Sequence, residues 1–95
     1  MKAYWICIYE KINDKEKLKE YAVKAKTAVE KFSGKFLVRG GKNRTNDGMD
    51  SPRTVIVEFP DYHTAIECYD SLEYQEAHEI LEGHVVRHHQ IVEGS

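Results

Sequence analysis

Seven consecutive apolar positions, Ala3-Tyr4-Trp5-Ile6-Cys7-Ile8-Tyr9, dominate the start of the pattern. β-Branched and aromatic residues predominate among them, which predicts a strand. A strand with one wet face alternates apolar and polar side chains. This one does not, so cover is expected on both of its faces. Asn13 and Asp14 then open a helix, with Glu16 placed to complete a capping box from Asn13. Leu18, Tyr21, Ala22, Ala25, Ala28, Val29 and Phe32 follow at spacings of three and four. They make one apolar stripe on a helix of about five turns. Gly34 stands where a glycine C-cap belongs.

Residues 35–39 read as a second strand, with Gly40-Gly41 as a bulge or bend within it. Residues 45–52 are polar, contain Asn46-Asp47-Gly48, and predict a loop. Residues 54–59 are a third strand, ended by Pro60. Asp61 caps a second helical region whose first apolar set is Ala65, Ile66 and Tyr69. The phase then slips to Tyr74, Ala77, Ile80 and Leu81. Asp70-Ser71 sits at the break and can cap a fresh helix, so two short helices with a kink are predicted. Gly83 stops the second, and residues 85–92 hold a last strand that includes His88-His89.

The resulting order is β-α-β-β-α-β. Right-handed crossovers place both helical regions on one face of a four-stranded antiparallel sheet. The all-apolar first strand asks for a lid on the other face, and the chain has nothing left to supply one. A second copy, docked through the sheet face as a homodimer, is the simplest lid.

Composition narrows the classes. The chain has 95 residues, which suits a single domain over 1–95 that buries only about 60–65% of its unfolded surface. It is 41% hydrophobic and 32% charged, a globular rather than disordered balance. No apolar run approaches the roughly 20 residues of a membrane span. The N-terminus runs straight into the first strand, so no signal peptide is expected. Cys7 and Cys68 lie far apart in apolar stretches and read as buried thiols, which suits a reducing, cytoplasmic setting. The net charge of −2 hides a basic first half and an acidic second half. The lysines are spread among glutamates along one helix, and no arginine cluster sits beside stacking aromatics. Two weakly attracting helices are expected rather than a nucleic-acid surface.

Gly34-Lys35-Phe36-Leu37-Val38-Arg39-Gly40-Gly41 resembles a known family. So do residues 53–60, Tyr69-Asp70-Ser71-Leu72-Glu73-Tyr74-Gln75, Val92-Glu93-Gly94 and Tyr4-Trp5. Together they are similar to the bacterial family known as domain of unknown function 1330, over nearly the whole chain. The resemblance implies a ferredoxin-like fold and a dimeric α+β barrel, and it implies no reaction. Wider relatives of that fold include cofactor-free monooxygenases, muconolactone isomerases and haem-handling enzymes, an analogy of fold alone. Ser33 stands where the family often has a second glycine, and Glu82 where a basic residue is common.

Candidate chemistry centres on Arg39. Simple alternation puts it on a face with Leu37, away from Phe36 and Val38. A symmetric loop would set it opposite Glu58, both looking into the barrel. Arg39 could then bind a carboxylate or enolate oxygen, and a Glu58 raised in pKa by burial could act as a base. A buried ion pair that fixes the dimer register is the other open reading. Tyr21, Tyr69 and Trp5 are candidate ligand-binding walls, although core packing on the helix stripes, and at the dimer face for Trp5, is the simpler account of them. His84 and His88 share a strand face about 13 Å apart, too far for one metal, and His88 and His89 point oppositely. No metal site and no cofactor is expected; a single axial histidine to haem would leave no spacing signature. The expected function is small-molecule binding. Catalysis without a cofactor, by proton transfer or oxygen addition to a small anionic or carbonyl substrate, extends that reading. A non-catalytic ligand-binding or interaction module is the alternative.

Overall fold

The computed structural model describes all 95 residues. The elements run β1 (Ala3–Ile12), α1 (Lys15–Lys31), β2 (Lys35–Arg39), β3 (Arg53–Phe59), α2 (Tyr62–Asp70), α3 (Leu72–Leu81) and β4 (Val85–Glu93). The strands form one antiparallel sheet in the order β2-β3-β1-β4. The sheet is open, with β2 and β4 as its edges. No helix is long and apolar enough to cross a membrane.

Although β1 is apolar at seven successive positions, its two faces differ. Ala3, Trp5, Cys7 and Tyr9 are buried under the helices. Tyr4 and Ile6 are half-buried and Ile8 is 39% exposed. Cover is therefore present on one face only. Ile8, Val38, Val86 and Val92 leave the other face apolar and open.

Local chemistry explains the helix ends. Asp14, not Asn13, caps α1: its carboxylate accepts from the Glu16 and Lys17 amides at 3.0 and 3.1 Å. A charged acceptor suits the positive end of the helix dipole. The Asn13 amide is engaged elsewhere, donating to the His84 carbonyl at 2.8 Å. At the other end Ser33 takes the left-handed position, with φ 62. Its amide donates to the Glu30 carbonyl and that of Gly34 to the Val29 carbonyl, the paired bonds of a Schellman cap. Gly34 has a different duty from the expected one. A Cβ there would lie 2.5 Å from Val29 Cγ1. Ser71 breaks the second helical region as expected, its hydroxyl accepting from the Tyr74 amide at 3.2 Å.

A β-bulge reorders β2. Phe36 pairs with Val57 and Val38 with Ile56, so Leu37 is the extra residue. The bulge thus falls within the strand, ahead of the Gly40-Gly41 pair that the sequence favours. One extra residue reverses the in–out alternation beyond it. Val38 consequently lies on the open face and Arg39 on the helix face.

The core lies between sheet and helices. Trp5, Val57 and Phe59 meet Ala25, Ala28 and Val29 of α1, with Ala65 and Cys68 of α2 and Tyr74, Ala77 and Leu81 of α3. The alanines let the helices approach the sheet closely. Each large side chain buried here contributes on the order of 1.5–3 kcal/mol. Helices α1 and α3 lie side by side. Lys31 and Glu73 form an exposed ion pair between them.

Candidate functional site

The strand register sorts the helix-facing side chains into rows. Arg53, Tyr9 and Arg87 form one row across β3, β1 and β4. Arg39, Val55, Cys7 and His89 form the next, and Phe36, Val57, Trp5 and Ile91 a third. Apolar packing therefore fills one end of the sheet, while every arginine of the helix face stands at the other. Over that polar end, Leu18, Tyr21, Ala22 and Ala25 of α1 roof a cleft. Its empty space is about 460 Å³, part of it open to solvent. The cleft is narrow.

Arg87 is its organising residue. Nη2 donates to the Tyr74 hydroxyl at 2.8 Å, and Nη1 donates to the Tyr21 hydroxyl and the Cys7 sulfur, each at 3.3 Å. The two tyrosine hydroxyls are themselves 2.7 Å apart. The guanidinium carbon lies 5.4 Å from the centre of the Tyr21 ring and 5.8 Å from that of Tyr9. Aromatic faces attract a cation but do not neutralise it. No carboxylate lies within 4 Å of Arg87, Arg39 or Arg53. The cleft thus carries three permanent cations and no acidic lining residue.

The remaining polar groups complete an electrophilic surface. Burial, and then the Arg87 charge, hold His89 down to about 3, so its ring is neutral near pH 7. Burial pushes up Tyr21, Tyr74 and Tyr9, which keeps their hydroxyls protonated. Burial also pushes up the Cys7 thiol, with Arg87 pulling it the other way. Two buried atoms of the cleft's residues have no hydrogen-bond partner: Nε of Arg53 and Nε2 of His89. Buried polar atoms normally find partners, so an unpaired one calls for an explanation. No three His, Cys, Asp or Glu side chains gather where they could share an ion.

Of the residues singled out in sequence, Arg39, Tyr21 and Trp5 line this cleft. Arg39 stacks over Phe36, 4.5 Å from the ring centre, and donates to the Ala22 carbonyl at 3.2 Å. Trp5 also donates from Nε1 to the Ala65 carbonyl at 3.0 Å, which ties α2 to the sheet. Tyr69 packs behind, its ring 6.0 Å from that of Trp5 and 4.9 Å from that of His89. Glu58 lies on the opposite sheet face, where it accepts from Lys2 at 3.3 Å and from Tyr4 at 3.4 Å. The expected Arg39–Glu58 pair is therefore corrected. Glu58 pairs with Lys35, so the register is already offset from the symmetric-loop one ahead of the bulge, and the bulge at Leu37 then sets Arg39 opposite Val55 and turns it over. From sequence, Arg87 and Arg53 carry no assigned role and His89 is considered only as a metal ligand. Arg87 and His89 share strand parity with Val85 and Ile91, and a charge among apolar residues of one parity was the available signal.

A family model described as Domain of unknown function (DUF1330) matches residues 2–95. The chain belongs to the DUF1330 family. In structure the DUF1330 chain is similar to a protein of unknown function from Rhodopseudomonas palustris, at 14% identity and a TM-score of 0.79, over 99% of this chain and 82% of that one. An ethyl tert-butyl ether d (EthD) family protein from Bacillus halodurans superposes with a TM-score of 0.62 at 16% identity, over all of both chains. A dimeric protein of unknown function and ferredoxin-like fold from Bacteroides fragilis does so with 0.59 at 18% identity, over 98% and 96%. Identities this low carry the fold alone, and the fold of the DUF1330 chain is ferredoxin-like. No curated protein matches its sequence.

Proposed function

We propose that this DUF1330 protein binds a small organic anion, aromatic or apolar in its body, in the cleft between α1 and the sheet. One observation carries the reading: Arg87, unpaired with any carboxylate, is presented by two tyrosine hydroxyls in a largely apolar lining that holds no acidic residue. Removing a cation from water without a counter-charge is unfavourable, and an incoming anion relieves that penalty. A guanidinium matches a carboxylate, phenolate or enolate oxygen with charge-assisted hydrogen bonds. Tyr21, Trp5 and Phe36 supply the walls, and Arg39 stands at the β2 side with Arg53.

The cationic lining, with no carboxylate in it, favours binding and oxyanion stabilisation over proton abstraction. Glu58 cannot serve as the base, since it sits across the sheet. An enzyme built on this cleft would act on a substrate that already carries, or readily forms, an enolate or phenolate, with the donors stabilising it. Oxygen addition to such an anion suits the cleft better than proton transfer by the protein.

The bare sheet face suits a second copy of the chain. Ile8, Val38, Val86 and Val92 expose an apolar surface there, and the Bacteroides fragilis neighbour is dimeric. In a homodimer this face would be covered by its own equivalent, giving an α+β barrel. The two buried thiols fit a reducing cytoplasm.

The test of binding is calorimetric titration with benzoate and with its uncharged analogue benzamide. Binding of benzoate but not benzamide supports the reading; equal binding, or none of either, overturns it.

A further inference from the structure

We infer that the ligand carries two anionic groups, one at each end of an apolar or aromatic body. The inference deepens the anion-binding reading above and rests on it. It comes from the separate anchoring of Arg53 and Arg87. Both flank Tyr9 in one cross-strand row, so their Cα atoms stand two strand spacings apart, about 10 Å. Arg87 then extends toward α1 and α3, where Tyr21 and Tyr74 fix it. Arg53 leans toward the end of β2. Its Nη1 lies 2.7 Å from where a Cβ on Gly40 would be. Gly40 has φ 77 and no side chain, and the guanidinium uses that space. Arg87 is anchored at Tyr21 and Tyr74 and Arg53 beside Gly40, with Tyr9 between them in the row, so each guanidinium is placed to hold a carboxylate of its own.

The Arg53 end continues outward into a second groove. The groove shares Leu18, Ala22 and Arg53 with the cleft and adds Lys15 and Lys19, with no acidic residue in its lining. Lys19 meets Glu16 at 3.6 Å in an exposed pair, and Lys15 has no such partner. Nε of Arg53 is buried without a hydrogen-bond partner where the two spaces join. An anionic group there meets the Arg53 guanidinium and a field of one sign, which draws anions in and holds the far end of the ligand. Between the two ends lie Tyr9, Val55 and Leu18, which exclude water from a hydrocarbon or ring. The chemical class is therefore a dicarboxylate, or a carboxylate with a second acidic oxygen, separated by an apolar spacer.

The test is calorimetric titration of the purified full chain with hexanoate, heptanoate and octanoate against adipate, pimelate and suberate, at fixed pH and salt. At least one dicarboxylate is expected to bind about tenfold or more tightly than the monocarboxylate of equal length. In Arg53→Gln that ratio is expected to fall to one. If no dicarboxylate shows an advantage in the unmodified protein, the two-headed ligand is wrong while single-anion binding stands. If none of the six acids binds, the anion cleft falls as well. If Arg53→Gln weakens both members of a pair equally, Arg53 shares one clamp with Arg87 and the inference is overturned.

Discussion

Arg87 reaches from β4 to donate to the Tyr74 hydroxyl of α3 at 2.8 Å, and no carboxylate lies within 4 Å of it. A structural arginine in a protein interior is normally matched by an acid, because an unmatched charge there is unfavourable. The mismatch gives the first prediction. Arg87→Met retains the stem's packing and removes the charge. Its melting temperature should equal or exceed that of the unmodified protein, because Tyr21 and Tyr74 remain hydrogen-bonded to each other. Benzoate affinity should fall by about 1.5–3 kcal/mol, a tenfold to hundredfold loss. A melting temperature that drops steeply would assign Arg87 to the scaffold instead.

The open sheet face leads to the second. Ile8 lies on β1 opposite Thr54 and His88 and is 39% exposed in a single chain. Ile8→Lys puts a charge into a face that is bare in the single chain and buried in the proposed dimer. Light scattering should show a dimer for the unmodified protein and a monomer for the variant, with the fold retained in circular dichroism. A variant that stays dimeric would place the interface elsewhere.

At the C-terminus of α1 two neighbouring residues have opposite expectations. Ser33 holds φ 62, a conformation that a glycine adopts without steric strain. Ser33→Gly should stabilise by about 0.5–1 kcal/mol in urea unfolding. Gly34→Ala should destabilise by at least about 1–3 kcal/mol, since its methyl meets Val29 and Phe59 at under 3 Å.

His89 sets a pH dependence. Burial and the Arg87 charge lower its folded value to about 3 from the ordinary value of 6.5. The unfolded chain therefore binds a proton that the folded chain refuses between those values. Its contribution to stability is intact above about pH 6.5 and is lost as pH falls from there toward 3, on the order of 1 kcal/mol per pH unit. His89→Gln should flatten that slope in denaturant titrations at several pH values. An unchanged slope would mean that His89 titrates normally.

Much of the fold was legible because local signals agreed with one another. The three-four spacing from Leu18 to Phe32 marked α1, and the phase slip at Asp70-Ser71 marked the break between α2 and α3. Register was not legible, since no residue of β2 announces a bulge at Leu37. That single insertion moved Arg39 to the helix side, while a register offset already present at Lys35 and the β1 pairing left Glu58 with Lys2 and Tyr4. Within the site, aromatic walls could be read from helix stripes. The charge pattern could not, because the row Arg53-Tyr9-Arg87 joins three strands that are distant in the chain.

The most direct test of the anion cleft is a titration of the ¹⁵N-labelled protein with benzoate, followed by amide and arginine side-chain shifts. The account predicts saturable changes at Arg87, Tyr21, Tyr74 and His89, with the open sheet face silent. Changes confined to the open face, or none at saturating benzoate, would contradict it.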